Sequence, residues 1–562
     1  MSVKKQFLLI FLLLTQQAVF AQTQLLRGKV REKTSQENLI AASVYALGTK
    51  QNVATDASGT YQLRLKNGLN KVVATYVGYS SDTLTIDIRQ DTTFDFALDP
   101  IGLTEVTISA SQINLSERIG SIALPMKQLK NIPALLGEAD ILRALTMLPG
   151  VSNGAEGSVG LSVRGGSPDQ NLILLDGAAI YNSSHIFGFL SAFNADAIKR
   201  VELIKGGFPA RYGGRLSSVI DITFKDGNKE KRSAELSVGL IASKFFIESP
   251  IKKGRSSYMI ALRSSYLDLI SAKSKRDFYK GDGKDYRNYN FFDANIKANY
   301  LIGKSGSLSA GLFYSRDFFI NATKYSNAAQ YETIIKWSNT VANLRYMQPL
   351  TKDILFNTQL TFSSYFYNFS LKNKIKEDAK EDKNFTISSS SNIADIGYKN
   401  NFNWSVSKNW TIVFGTELYR QFFRPNVSET DFYGKLINSE NPLRKSFSAA
   451  TFTDVQTKWT PRISTNVGCR AANYNVDKIN FTFLEPRLSL DYNINDNNSI
   501  KLSYNVMNQP LHILSNTIIG FTNDAWVPAT KLTPPENAVQ YALGYAKNFP
   551  KQQGLGKFLL KK

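Results

Sequence analysis

Beyond about Ser233 the sequence falls into an alternation that repeats to its last residues, and this limits the possible folds more than any other feature. Leu308, Ala310, Leu312 and Tyr314 share one phase of one segment, and Ile354, Phe356, Leu360, Phe362 and Phe366 share one phase of another, with Ser, Asn, Gln and Thr in between. Period two puts apolar and polar side chains on opposite faces of a strand. The chain is 43% hydrophobic, with 35 Phe and 26 Tyr, yet it lacks an uninterrupted apolar run of the roughly 20 residues a membrane helix needs. Crossing a bilayer therefore falls to strands, and a closed barrel is the non-helical arrangement that satisfies its own backbone in lipid. The connections keep a two-beat rhythm. Short ones fall at 252–255 ("KKGR"), 303–306, 351–353, 407–409 and 495–498; long polar ones run from Ser271 to Asn290, Ser315 to Trp337, Asn373 to Ser391 and Arg424 to Lys445. Strands of about ten residues, joined by short turns on one side and long loops on the other, are the pattern of an outer-membrane barrel.

The N-terminus agrees with export. Lys4 and Lys5 precede an apolar core, Phe7 to Leu14, and Val19-Phe20-Ala21 forms a small-residue cleavage site, so residues 1–21 read as a secretory signal and Gln22 as the mature start. The apolar core is too short to remain as an anchor. Cys469 is the lone cysteine, which excludes an internal disulfide framework. A formal net charge of +21 would suit a nucleic-acid binder if the basic residues were clustered. Here they are spread over loops and strands along the whole chain, so no nucleic-acid partner is expected, and the charge reads as solvated loops beside anionic outer-membrane lipid.

Two further regions precede the alternation. Residues 22–99 contain "LLRGKV", "AASVYAL", "GTYQLRL", "NKVVATYVGY" and "DTLTIDI", separated by Gly, Asn and Asp, the spacing of a small β-sandwich. After a linker at 100–112, residues 113–228 are mixed. Ile141, Leu142, Leu145 and Leu148 form one helical face stopped by Pro149-Gly150. "NLILLDGAAIYN" reads as two strands around Asp176-Gly177, a strong hairpin signal. "ADAIKRVELIKG" gives a helical turn leading into a strand from Val201 to Ile204.

The segments "ADILRALTMLPGV", "LSVRGGSPDQNLILLDGAAIYN" and "FNADAIKRVELIKGGFPARYGGRLSSVIDI", in this order, closely resemble the plug domain of TonB-dependent outer-membrane receptors. Gly28, Val30, Ala42, Val44, Thr55, Asp56, Gly59, Tyr61, Val77, Gly78 and Tyr79 resemble a carboxypeptidase regulatory-like domain, a non-catalytic β-sandwich. The resemblance implies a mainly β chain: an N-terminal sandwich, an α+β plug, and an antiparallel transmembrane β-barrel at 229–562. It also implies that "LTEVTISA" (Leu103, Thr104, Glu105, Val106, Thr107, Ile108, Ser109 and Ala110) is a TonB box, a segment whose extended backbone adds a strand to TonB. Its plug motif falls on Arg164, Gly165, Gly166, Asp176, Gly177, Arg200, Glu202, Lys205, Gly206, Arg211, Tyr212, Gly213 and Gly214. The charged members are costly inside a barrel unless paired, and the resemblance places polar plug-to-barrel contacts at Arg164 and Lys205.

The implied function is import of an unidentified small or oligomeric substrate (siderophore, cobalamin, metal, peptide or glycan) with energy relayed by TonB. The place is the outer membrane of a Gram-negative bacterium, with the N-terminal domain in the periplasm, and no cofactor is called for. Receptors paired with a surface lipoprotein usually carry a run such as "DASAAIYGSRAANG" where this chain has "GGFPARYGGRLSSV", so that partner is not implied. An enzyme is not expected: "GLSVRG" ends in Arg164 where a nucleophile elbow needs Gly, "GKS" at 303–305 lacks the upstream Gly of a phosphate loop, and two His and one Cys are too few for a zinc cluster. His185 reads as a solvated loop residue. The alternatives are a signalling or purely binding receptor, disfavoured by the all-β first module, and a non-functional fragment. A plugged barrel of this kind has about 22 strands; the alternation yields about 13 with a fourteenth beginning at "GKFLLKK", so the expectation is a truncated, open barrel.

Overall fold

The computed structural model describes residues 23–98, 121–124 and 138–561, apart from short stretches at 33–38, 40–41, 48–51, 57–58, 76–80, 154–159, 281–284, 377–381 and 549–552 and one or two residues at several turns. The signal at 1–21 and the segment Leu103 to Ala110 lie outside the described residues. The chain divides into two compact units, Met1–Thr107 and Ile108–Lys562.

The first unit is a sandwich of two small sheets. Thr23–Glu32 pairs with Thr60–Lys66 on one side and with Thr92–Thr93 and Phe96–Leu98 on the other; the second sheet runs Asn52–Ala54, Ser43–Ala46, Gly68–Thr75, Asp82–Ile88. Alternation along Thr60–Lys66 buries Tyr61, Leu63 and Leu65 and exposes the residues between them. These three meet Leu26, Val30, Val44, Val72 and Phe96 in one apolar core between the sheets.

In the second unit the expected helix occupies Ile141–Thr146, with the Asp140 carboxylate accepting from the Arg143 N–H at its N-terminus. The same unit holds a five-stranded sheet in the order Ala178–Ala179, Asn171–Leu175, Ser218–Phe224, Ile198–Ile204, Ser121–Leu124. The hairpin read at Asp176-Gly177 is present: Leu174 pairs with Ala179 and Leu175 with Ala178. The central pairing of Asn171–Leu175 with Ser218–Phe224 is parallel, so the segment between them has to cross over the sheet.

The alternating region forms a 16-stranded antiparallel sheet from Ser233–Val238 to Gln553–Lys561. No described pairing joins the two outermost strands, so the sheet is open. Its outer face is the apolar one: Ile296, Leu312, Leu360 and Phe362 are exposed, while Phe291, Asp293, Asn295 and Lys297, in the opposite phase of one strand, are buried. Among the described residues no helix is long and apolar enough to cross a membrane.

Two expectations need correction. Of the stretches read as long loops, those from Ser315, Asn373 and Arg424 are largely strand, while Ser271 to Asn290 holds the helix Ala272–Lys280 and the start of the strand Asp285–Ile302. Gly306–Ser326 continues into Ala329–Pro349, and Ile354–Lys376 into Asp382–Ser405, as hairpins of 21 to 24 residues per strand. These ladders exceed the height of a lipid-facing strand, and the backbone pairing continues past it. The sheet has 16 strands among the described residues where alternation gives about 13 with a fourteenth beginning; Lys435–Ser439, paired only with the end of Trp410–Phe432, is a short one that alternation does not reveal.

Candidate functional site: the plug and its seat on the barrel wall

The Asp176-Gly177 turn is the tip that the five-stranded sheet presents to the wall. A two-residue hairpin needs positive φ at both central residues, and here φ is 45° at Asp176 and 84° at Gly177. Lys297 Nζ lies 3.1 Å from Asp176 Oδ1, Gln359 Nε2 donates to the Asp176 carbonyl, and Lys399 Nζ donates to the Gly177 carbonyl at 2.9 Å. A Cβ on Gly177 would stand 2.7 Å from Gln359 Oε1, so a side chain is excluded here by both backbone and space. Burial pushes the Asp176 carboxyl above its ordinary value, against the pull of Lys297.

His185 departs most from the sequence reading. It is fully buried, not solvated, and its ring is clamped between two wall carboxylates, Nε2 at 2.6 Å from Asp293 Oδ1 and Nδ1 at 2.6 Å from Asp317 Oδ2. Arg263 Nε donates to the other Asp293 oxygen at 2.6 Å, and Arg263 Nη2 donates to the plug carbonyl of Ser191 at 2.8 Å. The imidazole stacks on Phe291 with 4.5 Å between centroids. Burial lowers the affinity of the ring for a proton, but Asp293 and then Asp317 outweigh it and raise the pKa to about 9. His185 is therefore an imidazolium at neutral pH. Aromatic residues close around the same segment: Tyr181 and Leu190 of the plug pack with Phe291, Trp337, Tyr365 and Phe369.

The remaining motif residues lie in three further places. Arg164 Nη1 donates to the Lys205 carbonyl at 2.7 Å, and Lys205 Nζ to the Pro149 carbonyl at 2.7 Å. These two bonds lie within the plug. The wall comes to them through Gln540 Nε2 at 3.3 Å from the Lys205 carbonyl, beside Gly206. Burial lowers the Arg164 pKa to about 10, and a carbonyl partner does not offset that as a carboxylate would. Gly165 and Gly166 turn the chain just after Leu161–Val163. Arg200 and Glu202 pair with each other near the plug surface, where Glu202 also accepts from Ser121 Oγ.

Arg211 to Gly214 occupy the third place, against the opposite wall. The Arg211 guanidinium sits over the Tyr212 ring at 4.8 Å, and the Tyr212 hydroxyl donates to Asp221 at 2.8 Å. Gly213 lies so near the wall that a Cβ would meet Arg470 Nε at 2.4 Å. Next to it Arg487 Nη1 donates to the Pro209 carbonyl at 2.6 Å, and the Ala210 N–H to Asp454 at 2.8 Å. The wall cations are matched in turn: Arg470 with Glu417 and Arg487 with Glu485, both at 2.8 Å. Between this loop and the wall is a cavity with ≈ 890 Å³ of empty space.

The wall partners (Asp293, Lys297, Asp317, Glu417, Arg470 and Arg487) were missed in the sequence. A signal existed, since each is a charge in the inward phase of a strand whose outward phase is apolar, a placement that costs several kcal/mol unless paired. Among the described residues no group of three or more metal-ligating side chains forms.

Family models match in two places, a CarboxypepD_reg-like domain over residues 26–108 and a TonB-dependent Receptor Plug Domain over 127–219. The chain carries the plug domain of TonB-dependent receptors. It is 31% identical over 232 residues to the TonB-dependent receptor SusC of Bacteroides thetaiotaomicron, covering 37% of this chain and 22% of that protein. It is 22% identical over 303 residues to the vitamin B12 transporter BtuB of Vibrio cholerae, covering 52% of this chain and 46% of that one. The chain thus spans less than half the length of the curated relatives it matches. Its fold is that of the copper transporter OprC, at TM-score 0.56 and 11% identity over 80% of this chain and 72% of the other. It is equally that of the siderophore receptor PirA from Acinetobacter baumannii, at TM-score 0.51 and 15% identity over 80% and 70%. The relatives are receptors and transporters, not enzymes.

Proposed function

We propose that this receptor imports a nutrient across the outer membrane, with the energy supplied through Leu103 to Ala110 by TonB. The observation that carries the reading is the plug's seat. The plug touches the wall largely through single hydrogen bonds to carbonyls and through paired charges, as at Asp176, Gly177, Pro209 and Ala210. Each involves a charged group and is worth about 1.5–3 kcal/mol once exchange with water is counted, and because the contacts are separate, water can replace them one at a time when the plug shifts. The cargo stays open across vitamin, metal and siderophore classes, as the relatives with this fold carry all three in their names. The N-terminal sandwich would then lie in the periplasm, ahead of the coupling segment.

Val106→Pro tests the coupling. It deletes one N–H and fixes φ in a segment that must pair by its backbone. In the full receptor, uptake of the cargo should fail while binding from outside persists, and Val106→Ile, which keeps the extended backbone, should transport nearly normally. Uptake by the Pro variant at the normal rate overturns the assignment of this segment.

A further inference from the structure

Among the described residues the wall cations Arg263, Lys297, Arg470 and Arg487 each have a carboxylate partner, whereas the plug guanidiniums of Arg211 and Arg215, like that of Arg164, have none within 4.0 Å. Arg211 and Arg215 both line the ≈ 890 Å³ cavity between plug and wall. Arg215 also lines a second cavity of ≈ 640 Å³, and Leu172, Ala179 and Tyr181 line both with it, so the two spaces adjoin along one flank of the plug. Among the described residues neither guanidinium has a carboxylate within 4.0 Å. Arg211 meets the Tyr212 hydroxyl at 3.2 Å, and Arg215 Nη1 donates to the carbonyl of its own neighbour, Gly214, at 2.8 Å. Arg215 Nε is buried and has no partner among the described residues, and the same holds for Nε1 of Trp526, over whose ring the Arg215 guanidinium stands at 4.9 Å. Burial draws the Arg215 guanidinium below its ordinary value, the direction expected of a cation short of counter-charge.

Arg211 also feels the charges of Asp221 and Glu202, but around Arg215 the nearby acids do not make up the deficit. Glu417 is held by Arg470 at 2.8 Å and Lys399 at 3.6 Å, Glu485 by Arg487 at 2.8 Å, and one oxygen of Asp395 by the Tyr181 hydroxyl at 2.5 Å. A protein seldom leaves a desolvated guanidinium and an indole N–H unanswered unless something else answers them. The walls of the larger cavity add Tyr181, Tyr212, Tyr419 and Tyr474, whose ring faces suit packing against an aromatic group.

We propose that this slot is a binding site for an aromatic oxyanion, a small molecule whose carboxylate or phosphate lies against Arg215 and Arg211 while its ring packs among the tyrosines. A planar or tetrahedral oxyanion takes the fork of a guanidinium in charge-assisted hydrogen bonds, and the Trp526 N–H supplies a third donor. The remaining Asp395 oxygen, unpartnered among the described residues, favours a ligand with a hydroxyl beside its acid group. The site concerns binding alone and stands apart from the energy coupling proposed above.

Calorimetric titration of the detergent-solubilised chain with benzoate, phenyl phosphate and neutral benzamide tests it. At least one oxyanion should bind and benzamide should not; tighter binding of the phosphate or of the carboxylate tells which group the slot takes. Arg215→Met, which keeps length and removes charge, should weaken that binding about tenfold or more and leave the melting temperature unchanged or higher, because the charge it removes is uncompensated. Arg215→Lys should fall between the two. The proposal is overturned if neither oxyanion binds at millimolar concentration, if the Met variant binds as well as wild type, or if the Met variant melts lower, which would make the guanidinium a structural brace. Binding in detergent needs no TonB, so failure here leaves the transport reading intact, and normal uptake by Val106→Pro leaves this site intact.

Discussion

Asp293→Asn should loosen one segment of the plug and leave the barrel alone. The Asp293 carboxylate gives one oxygen to His185 Nε2 and the other to Arg263 Nε, both at 2.6 Å, and all three side chains are essentially without solvent. An amide of the same shape has one acceptor, so its NH2 must face either an imidazolium or a guanidinium N–H. One charge-assisted bond is lost, worth about 1.5–3 kcal/mol, and Arg263 keeps only Glu138, at 3.9 Å, as a counter-charge. Breaking one partner out of a buried ion pair costs about 3–5 kcal/mol. The two ranges meet near 3 kcal/mol, about a hundredfold in a local opening equilibrium. Hydrogen exchange over Tyr181 to Ala192 should therefore accelerate by about that factor, with the wall strands unchanged. Asp317→Asn is the calibrating control. Only Oδ2 of Asp317 meets His185, while Oδ1 has no hydrogen-bond partner among the described residues; the amide nitrogen can take the vacant side and the cost should be smaller. Unchanged exchange in Asp293→Asn, or a larger effect from Asp317→Asn, refutes the clamp as the holder of this segment.

The same clamp sets a pH dependence: the folded pKa of His185, about 9, lies above the ordinary value near 6.5. Its contribution is fully present below about pH 6.5 and lost as pH rises through 9, so exchange over the segment should rise across that window and stay flat in His185→Gln. Gly213→Ala should push Arg470 off Glu417, since the added Cβ meets the guanidinium, and lower plug stability by about 1–3 kcal/mol in a thermal melt. Gly177→Ala must hold φ near 84° and displace Gln359, costing about 1–2 kcal/mol from the backbone alone; limited proteolysis should find the plug more accessible. A variant that matches wild type at either glycine would mean that the wall yields there at no cost.

Elements were legible in the sequence wherever one face is buried and the other wet. Tyr61, Leu63 and Leu65 announce a sandwich strand, and Asp176-Gly177 announces a hairpin because few other pairs accept positive φ twice. The outward barrel face was legible from Leu312, Leu360 and Phe362 because lipid imposes a single chemistry on it. The hairpins from Ser315 to Trp337 and from Asn373 to Ser391 were not, because pairing in water needs no pattern. His185 was misread for a different reason. Nothing in "IYNSSHIFGF" states that Asp293 and Asp317, more than 100 residues away, converge on its ring; that juxtaposition exists only once the wall is wrapped around the plug. The wall charges themselves could have been found by phase, since "FDANIKA" puts Asp293 and Lys297 opposite the lipid-facing positions.

The plug sheet also decides where a pull would act first. Its order leaves Ser121–Leu124 at one edge, paired only with Ile198–Ile204 through four residue pairs, and this is the first plug strand after the segment proposed to bind TonB. The His185 clamp and the Asp176 tip belong to the other end of the sheet order or to the segment beyond it, and several ladders separate them from that edge strand. A force applied before residue 121 thus loads few backbone bonds at a time, each replaceable by water, while the charged clamp stays seated until the sheet itself has begun to open. The His185 clamp lies away from that edge strand, so a partial opening along the edge can precede release of His185 and need not unseat the whole domain.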